Sequence, residues 1–327
     1  MSEPIIGLAG FGVTGTRVAE LLVASGLRVA VHDPMAMSVR RHGVVRLDHA
    51  EDLHATDLVV LCSPGPHSRS VASLIEDRCP VVTVSDDLDD LRSLLDLSSL
   101  AVRRGVPVVV GAGMAPGLSG LLAHHLASQL DVVDEVHVAT HGTAGPACAR
   151  QHHDALGSTS VRWHDGEWSE APGGSGRELV WFPEPIGAHD CYRAAVGDPL
   201  LLHRSYPAAC RVTARVSATR RDRLTARLPM LTPPHPSGDL GAVRVEVRGA
   251  DAEGARVSCI AGAAGETAAL AAAVCAATAL RMLEREVVAG VHTPGDAALA
   301  PLDLLHHATR QGVRIQEYTG VARPTSW

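Results

Sequence analysis

The stretch Ile5-Ile6-Gly7-Leu8-Ala9-Gly10-Phe11-Gly12-Val13-Thr14-Gly15 decides how the rest of the chain is read. A short apolar strand runs into three glycines spaced Gly-x-Gly-x-x-Gly, and Val18, Leu21 and Leu22 then recur at helical intervals. A second apolar run ends on Asp33, 18 residues beyond Gly15. Strand, glycine turn, helix, strand and terminal acid, in that order, are the local plan of a dinucleotide-binding βαβ unit. Gly10 permits the tight turn, Gly12 lets the backbone approach a pyrophosphate, and Gly15 lets the helix pack closely on the strand. With Phe11, Val13 and Thr14 they would offer the N–H groups of a helix start to phosphate oxygens. Asp33 is spaced to accept hydrogen bonds from ribose hydroxyls. A carboxylate there repels a 2′-phosphate, which favours NAD; Arg40 and Arg41 are near enough in sequence to keep NADP open.

Outward from this unit the alternation continues. Strands are expected at 44–47, 57–62, 81–84 and 106–110, and helices near 49–55, 67–78 and 87–104. Repeated βα units make a doubly wound parallel sheet covered by helices on both faces, with ligands beyond the carboxyl ends of its strands. Past residue 125 the strands lengthen and alternate: 135–140, 161–164, 178–182, 209–219, 242–248 and 255–261, with helices near 146–156, 188–203 and 220–228. Asp165-Gly166 reads as a hairpin turn. An alanine-rich helix over 266–288, a helix near 299–310 and a strand over 313–318 are expected to return to the first sheet. The expected architecture is therefore α/β: an N-terminal Rossmann domain over 1–125, an inserted antiparallel α+β substrate and oligomerisation domain over 126–262, and a returning segment over 263–327.

Composition narrows the chemistry. All 29 basic residues among the 327 are arginine, so Schiff-base and P-loop lysines are excluded. A net charge of −7 with no basic stripe argues against nucleic acid. Seven cysteines scattered without a Cys-x-x-Cys pair read as reduced thiols. The histidine pairs 124–125, 152–153 and 306–307 lack ligand spacing, because helical neighbours point about 100° apart; no metal is expected. With neither a targeting segment nor an uncharged apolar run of spanning length, a cytoplasmic protein free of membrane contact is expected.

Several later stretches resemble the saccharopine dehydrogenase-like family of NAD(P)-dependent oxidoreductases. Leu61-Cys62-Ser63-Pro64-Gly65-Pro66-His67 resembles its apolar strand ending in a proline turn and histidine. Val82-Thr83-Val84-Ser85 is similar to its next strand. Val109-Val110-Gly111-Ala112-Gly113-Met114-Ala115-Pro116-Gly117-Leu118 resembles its Gly-x-x-Pro-Gly turn, and Trp181-Phe182-Pro183-Glu184-Pro185 and Gly290-Val291-His292-Thr293-Pro294 are fainter echoes. The middle of the chain is shorter than in saccharopine reductases, and their lysine has no counterpart.

The resemblance implies hydride transfer at a carbon–nitrogen centre, in an imine, an amino acid or an opine-like amine, by a homodimer. It adds Ser63, Pro64, Gly113, Met114, Pro116 and Gly117 to the cofactor site. His67 has a side chain suited to proton transfer near neutrality, and Tyr192, beside Asp190, is the second catalytic candidate. Arg150, with His153 one turn away, is a candidate for a substrate carboxylate, as are Arg193, Arg204 and Arg211. Trp181, in the aromatic cluster 163–192, would line the substrate pocket. The competing expectation is a dinucleotide-binding sensor or partner subunit without chemistry.

Overall fold

The computed structural model describes residues 3–36, 41–230, 233–284 and 287–318. The first βαβ unit forms as its sequence dictates: β1 (Ile5–Ala9), α1 (Val13–Ala24) and β2 (Arg28–His32), with β1 and β2 parallel. The alternation then gives β3 (Val44–Arg46), β4 (Leu58–Leu61), α2 (Ser68–Glu76) and β5 (Val81–Thr83), followed by α3 (Leu88–Leu95), α4 (Ser98–Arg104) and β6 (Pro107–Val109). The helix expected over 87–104 is two helices. Leu97 begins the second as its N-cap, and Leu91, Leu94 and Ala101 are buried from both.

Helix α5 (Leu118–Ala127) leads to β7 (Val132–His141), α6 (Pro146–Gly157), β8 (Thr159–His164), β9 (Glu167–Pro172), β10 (Glu178–Phe182) and β11 (Gly187–Tyr192). After these come α7 (Asp198–Ser205), β12 (Arg211–Ser217), α8 (Arg220–Thr225), β13 (Leu240–Ala250), β14 (Arg256–Glu266) and α9 (Thr267–Glu284), then β15 (Gly290–His292), α10 (Pro301–Arg310) and β16 (Ile315–Glu317). The helix expected over 188–203 is replaced by strand β11 and the shorter α7. Residues 187–191 pair antiparallel with β10, and this partner overrides a local composition poor in strand formers.

Two sheets result. The first has order β15-β6-β5-β4-β1-β2-β3, with every pair parallel. The second is mixed, with order β10-β11-β12-β7-β13-β14-β16, and carries the β8–β9 hairpin on β12. The C-terminal segment divides between them. β15 extends the first sheet beside β6, but the last strand does not return there: Ile315–Glu317 pairs with β14 at the edge of the second sheet. Val313 is buried and Ile315 packs on the main core, so the last strand leaves α10 already bound for the second sheet.

Helix α9 has mean hydropathy 1.4 and the length to cross a bilayer, but 72% of that stretch is buried inside the protein. Its alanines pack against α1 and α10, where small side chains allow close approach. All seven cysteines are free thiols.

Candidate active site

The first sheet reverses direction of winding at β1, which lies between β2 and β4. Loops beyond the carboxyl ends of β1, β2, β4, β5 and β6 open there into a cavity of about 710 Å³, closed on the other side by the 144–152 region and by α9. That volume is within the range of small-molecule and cofactor sites.

The three glycines divide the labour. A Cβ on Gly10 would sit 2.5 Å from the Ser63 backbone nitrogen, and Gly10 has φ +91°, so the turn presses directly on the end of β4. A Cβ on Gly15 would meet the Gly10 carbonyl at 2.0 Å; that contact holds α1 against the turn. Gly12 faces nothing within 4 Å and lines the cavity, leaving the approach to the first turn of α1 open. No acidic residue occupies that first turn, so its N–H groups and the positive end of the helix dipole face the cavity uncompensated.

Asp33 stands on the wall at the end of β2. Its carboxylate accepts hydrogen bonds from the backbone N–H of Phe11 at 2.6 Å and of Met35 at 2.8 Å, which fixes it against the glycine turn. Val13, Thr14, Ser63, Pro64, Gly113 and Met114 also line the cavity. Phe11, Gly15, Pro116 and Gly117 do not; they shape the turns behind it. The N–H groups that follow the Pro116-Gly117 turn are already taken: Leu118 donates to the Gly113 carbonyl and Ser119 to that of Met114. Arg41 is ion-paired with Glu20 away from the cavity, and Arg40 lies outside the described residues.

His67 lines the cavity but is committed elsewhere. It is 5% exposed; its backbone N–H donates to Asp90 Oδ1 at 2.7 Å, its Nδ1 pairs with Oδ2 at 2.7 Å, and its Nε2 lies 3.0 Å from the Ser63 carbonyl. Ser85 Oγ donates to the same carboxylate. Burial would push Asp90 up, but the hydrogen bonds from His67 and Ser85 outweigh it and hold the carboxyl below the usual range. With the Asp90 carboxylate against one nitrogen and the Ser63 carbonyl against the other, both ring nitrogens are engaged by the protein. His67 is a strut binding the loop after β4 to α3, and it has no nitrogen left for substrate.

The remaining substrate-side candidates do not converge. Tyr192 is 2% exposed in the core under the Arg223 guanidinium and lines no part of the cavity. Trp181 is 62% exposed on β10. Arg150 points to solvent, and His153 is buried against the Leu228 carbonyl, 2.8 Å from its Nε2. The error is one of helix phase. The face of α6 that meets the cavity carries Cys148, Gln151 and His152, spaced i, i+3 and i+4. Sequence reasoning had the right helix and the wrong side of it.

Opposite this face lies Asp86, on the loop after β5. Gln151 Nε2 donates to Asp86 Oδ1 at 2.5 Å, and His152 Nε2 lies 3.4 Å from Asp86 Oδ2. The ligand atoms of Asp86, Cys148 and His152 all lie within 4.8 Å of one another. Burial works against a charge on His152, but Cys148 and Asp86 outweigh it and raise its pKa well above the ordinary value. Among the described residues the wall carries Asp33, Asp86 and Asp87 and no arginine at all. The arginine expected for a substrate carboxylate is therefore not among the described residues of this wall.

No protein-family model and no curated protein sequence matches the chain. Solved structures do share its fold. Apo saccharopine dehydrogenase (L-Glu forming) from Saccharomyces cerevisiae aligns with a TM-score of 0.70 at 15% identity, over 97% of this chain and 100% of that one. A meso-dapdh mutant with DAP from Clostridium tetani E88 aligns at 0.53 with 14% identity, over 91% and 97%. Amine dehydrogenase from Mycobacterium smegmatis aligns at 0.50 with 13% identity, over 89% and 94%. The architecture is that of the saccharopine dehydrogenase fold, a parallel Rossmann-type sheet joined to a mixed second sheet.

Proposed function

From this shared fold and the glycine cradle we propose that the chain is a nicotinamide-dinucleotide-dependent oxidoreductase acting at a carbon–nitrogen centre. One observation carries it: Gly12 opens an acid-free helix start onto the cavity, while Asp33 stands fixed at the end of the neighbouring strand. The first would receive the pyrophosphate and the second the ribose hydroxyls. With Arg41 held by Glu20 and no arginine on the described wall, electrostatics favours NAD over NADP.

Sheet order supports one direction for the cofactor. Asp33 follows β2 on one side of β1, so the adenosine end belongs there; the loops after β5 and β6 belong to the reactive end. The bound nicotinamide would supply or accept hydride. Around it this chain contributes Ser63, Ser85, Asp86, Met114, Cys148 and His152, which line the cavity and exclude solvent from the α6 side. The carbon–nitrogen centre rests on the fold: the three similar structures are named as dehydrogenases or abbreviated as one, and one of them is an amine dehydrogenase.

The test is binding first, then turnover. NADH fluorescence should saturate with wild-type protein and fail to do so with Gly12→Val, whose side chain would fill the open approach without touching the core. NADH oxidation is then followed with mixed keto acids and amines. Equal NADH affinity in the two proteins would remove the cofactor assignment. Binding without turnover on any amine or carbonyl pair would favour the non-catalytic alternative.

A further inference from the structure

We propose that Asp86, Cys148 and His152 form a divalent-metal site, of the zinc type, at the reactive end of the cavity. The three donors are a carboxylate oxygen, a cysteine sulfur and an imidazole nitrogen, each a ligand type that zinc takes, and three protein ligands leave its fourth position open. Cys148 and His152 stand four residues apart on α6 and so share a face, and Asp86 meets them from the loop after β5.

The distances suit a metal better than an ion pair. A charge-assisted N–H···O bond closes to about 2.7–2.9 Å. His152 Nε2 and Asp86 Oδ2 stop at 3.4 Å, the edge of a tetrahedron whose nitrogen and oxygen vertices lie about 2.0–2.1 Å from its centre. The sulfur is within 4.8 Å of both. Gln151 holds the other Asp86 oxygen at 2.5 Å, the outer hydrogen bond that orients a ligating carboxylate.

Charge supports the same conclusion. The chain has no lysine, and the described cavity wall has no arginine. A bound dication would displace the proton from His152, neutralise Asp86 and the thiolate, and become the positive centre of the site. Its fourth position would open into the cavity, where it could take a nitrogen or oxygen lone pair of the substrate. That last role rests on the oxidoreductase proposal; the metal site itself does not.

Metal-free protein is titrated with Zn²⁺ and, separately, with Co²⁺, whose thiolate charge-transfer absorption reports sulfur ligation. One equivalent should bind. Cys148→Ser should abolish the charge-transfer band, and His152→Gln should weaken affinity by at least about 100-fold. Gln151→Ala should weaken it by about 10–100-fold, as loss of an outer partner does. Cys210→Ser, at an exposed thiol, should change nothing. Absence of stoichiometric binding, or a band that survives Cys148→Ser, overturns the proposal. Circular dichroism and NADH affinity on the same preparations show that each variant is folded. A wild-type protein that binds metal in this pattern but no NADH would leave the site standing and remove the oxidoreductase reading.

Discussion

Asp198 shows how one residue reports on the site's surroundings. It opens α7, 2% exposed, and accepts a hydrogen bond from Ser119 Oγ at 2.5 Å. Burial pushes its carboxyl up to about 6, against the Ser119 bond, with the nearby Asp86 charge adding to the rise. A folded-state pKa above the unfolded value means stability that is whole below about pH 4 and lost as pH climbs through about 6. The loss amounts to about 3 kcal/mol, an order-of-magnitude figure from a shift of roughly two units. Asp198→Asn mimics the neutral acid, so urea unfolding should find it more stable than wild type by up to that amount at pH 8 and no more stable at pH 4. The same difference at both pH values would show that Asp198 is not titrating in the folded protein. At this scale the sequence was legible where function is written in backbone geometry. Gly10, Gly12, Gly15 and Asp33 could be placed from spacing alone because their positions are set within one βαβ unit. Asp198 could not, because its environment is made by α5 and by the loop carrying Asp86.

Between elements, the loop after β4 shows what local sequence leaves unstated. A histidine beyond an apolar strand has the composition of a proton donor, and nothing local reveals that Asp90, on a different helix, takes up its ring and its backbone N–H together. Removing either partner leaves the other buried without its hydrogen bonds, at a cost of about 1–3 kcal/mol. His67→Ala and Asp90→Ala should each lower unfolding free energy by about that much and weaken NADH binding, since Ser63, Pro64 and Gly65 line the cavity. The double variant should cost less than the sum of the singles. A His67 variant with normal stability and normal NADH affinity, but with the neutral limb of its pH–rate profile gone, would restore the catalytic role. Helix α6 teaches the related lesson. Its existence and bounds were readable from periodicity, but which of two half-polar faces meets the cavity depends on how α6 docks. Hence Cys148, Gln151 and His152 were missed while Arg150 and His153 were chosen.

The whole molecule explains both the success and the limit of sequence reasoning. The first sheet is built from short parallel strands buried on both sides, so each appears as an apolar run between helices. The second is stitched from distant segments: β7 pairs with both β12 and β13, and β16 joins β14. No local pattern states such partners, and the last strand was therefore assigned to the wrong sheet. The cavity draws on both regions. Gly12 and Ser63 come from beside the first sheet, Thr140 from β7, Cys148 from α6 and Ala271 from α9. A ligand held there stabilises the elements on both sides of it, and only in the folded state. At about 100 times its dissociation constant, NADH should raise stability by about 2.7 kcal/mol. With the usual unfolding entropy per residue, that is an increase of about 4 °C in melting temperature for a chain of this length. Gly12→Val should keep the wild-type melting temperature without ligand and lose the NADH-dependent rise, because its side chain enters open space rather than core. A rise of equal size in both proteins would mean that NADH binds somewhere other than the glycine turn. No rise in either, with Gly12→Val otherwise normal, would mean that the cavity holds a different ligand.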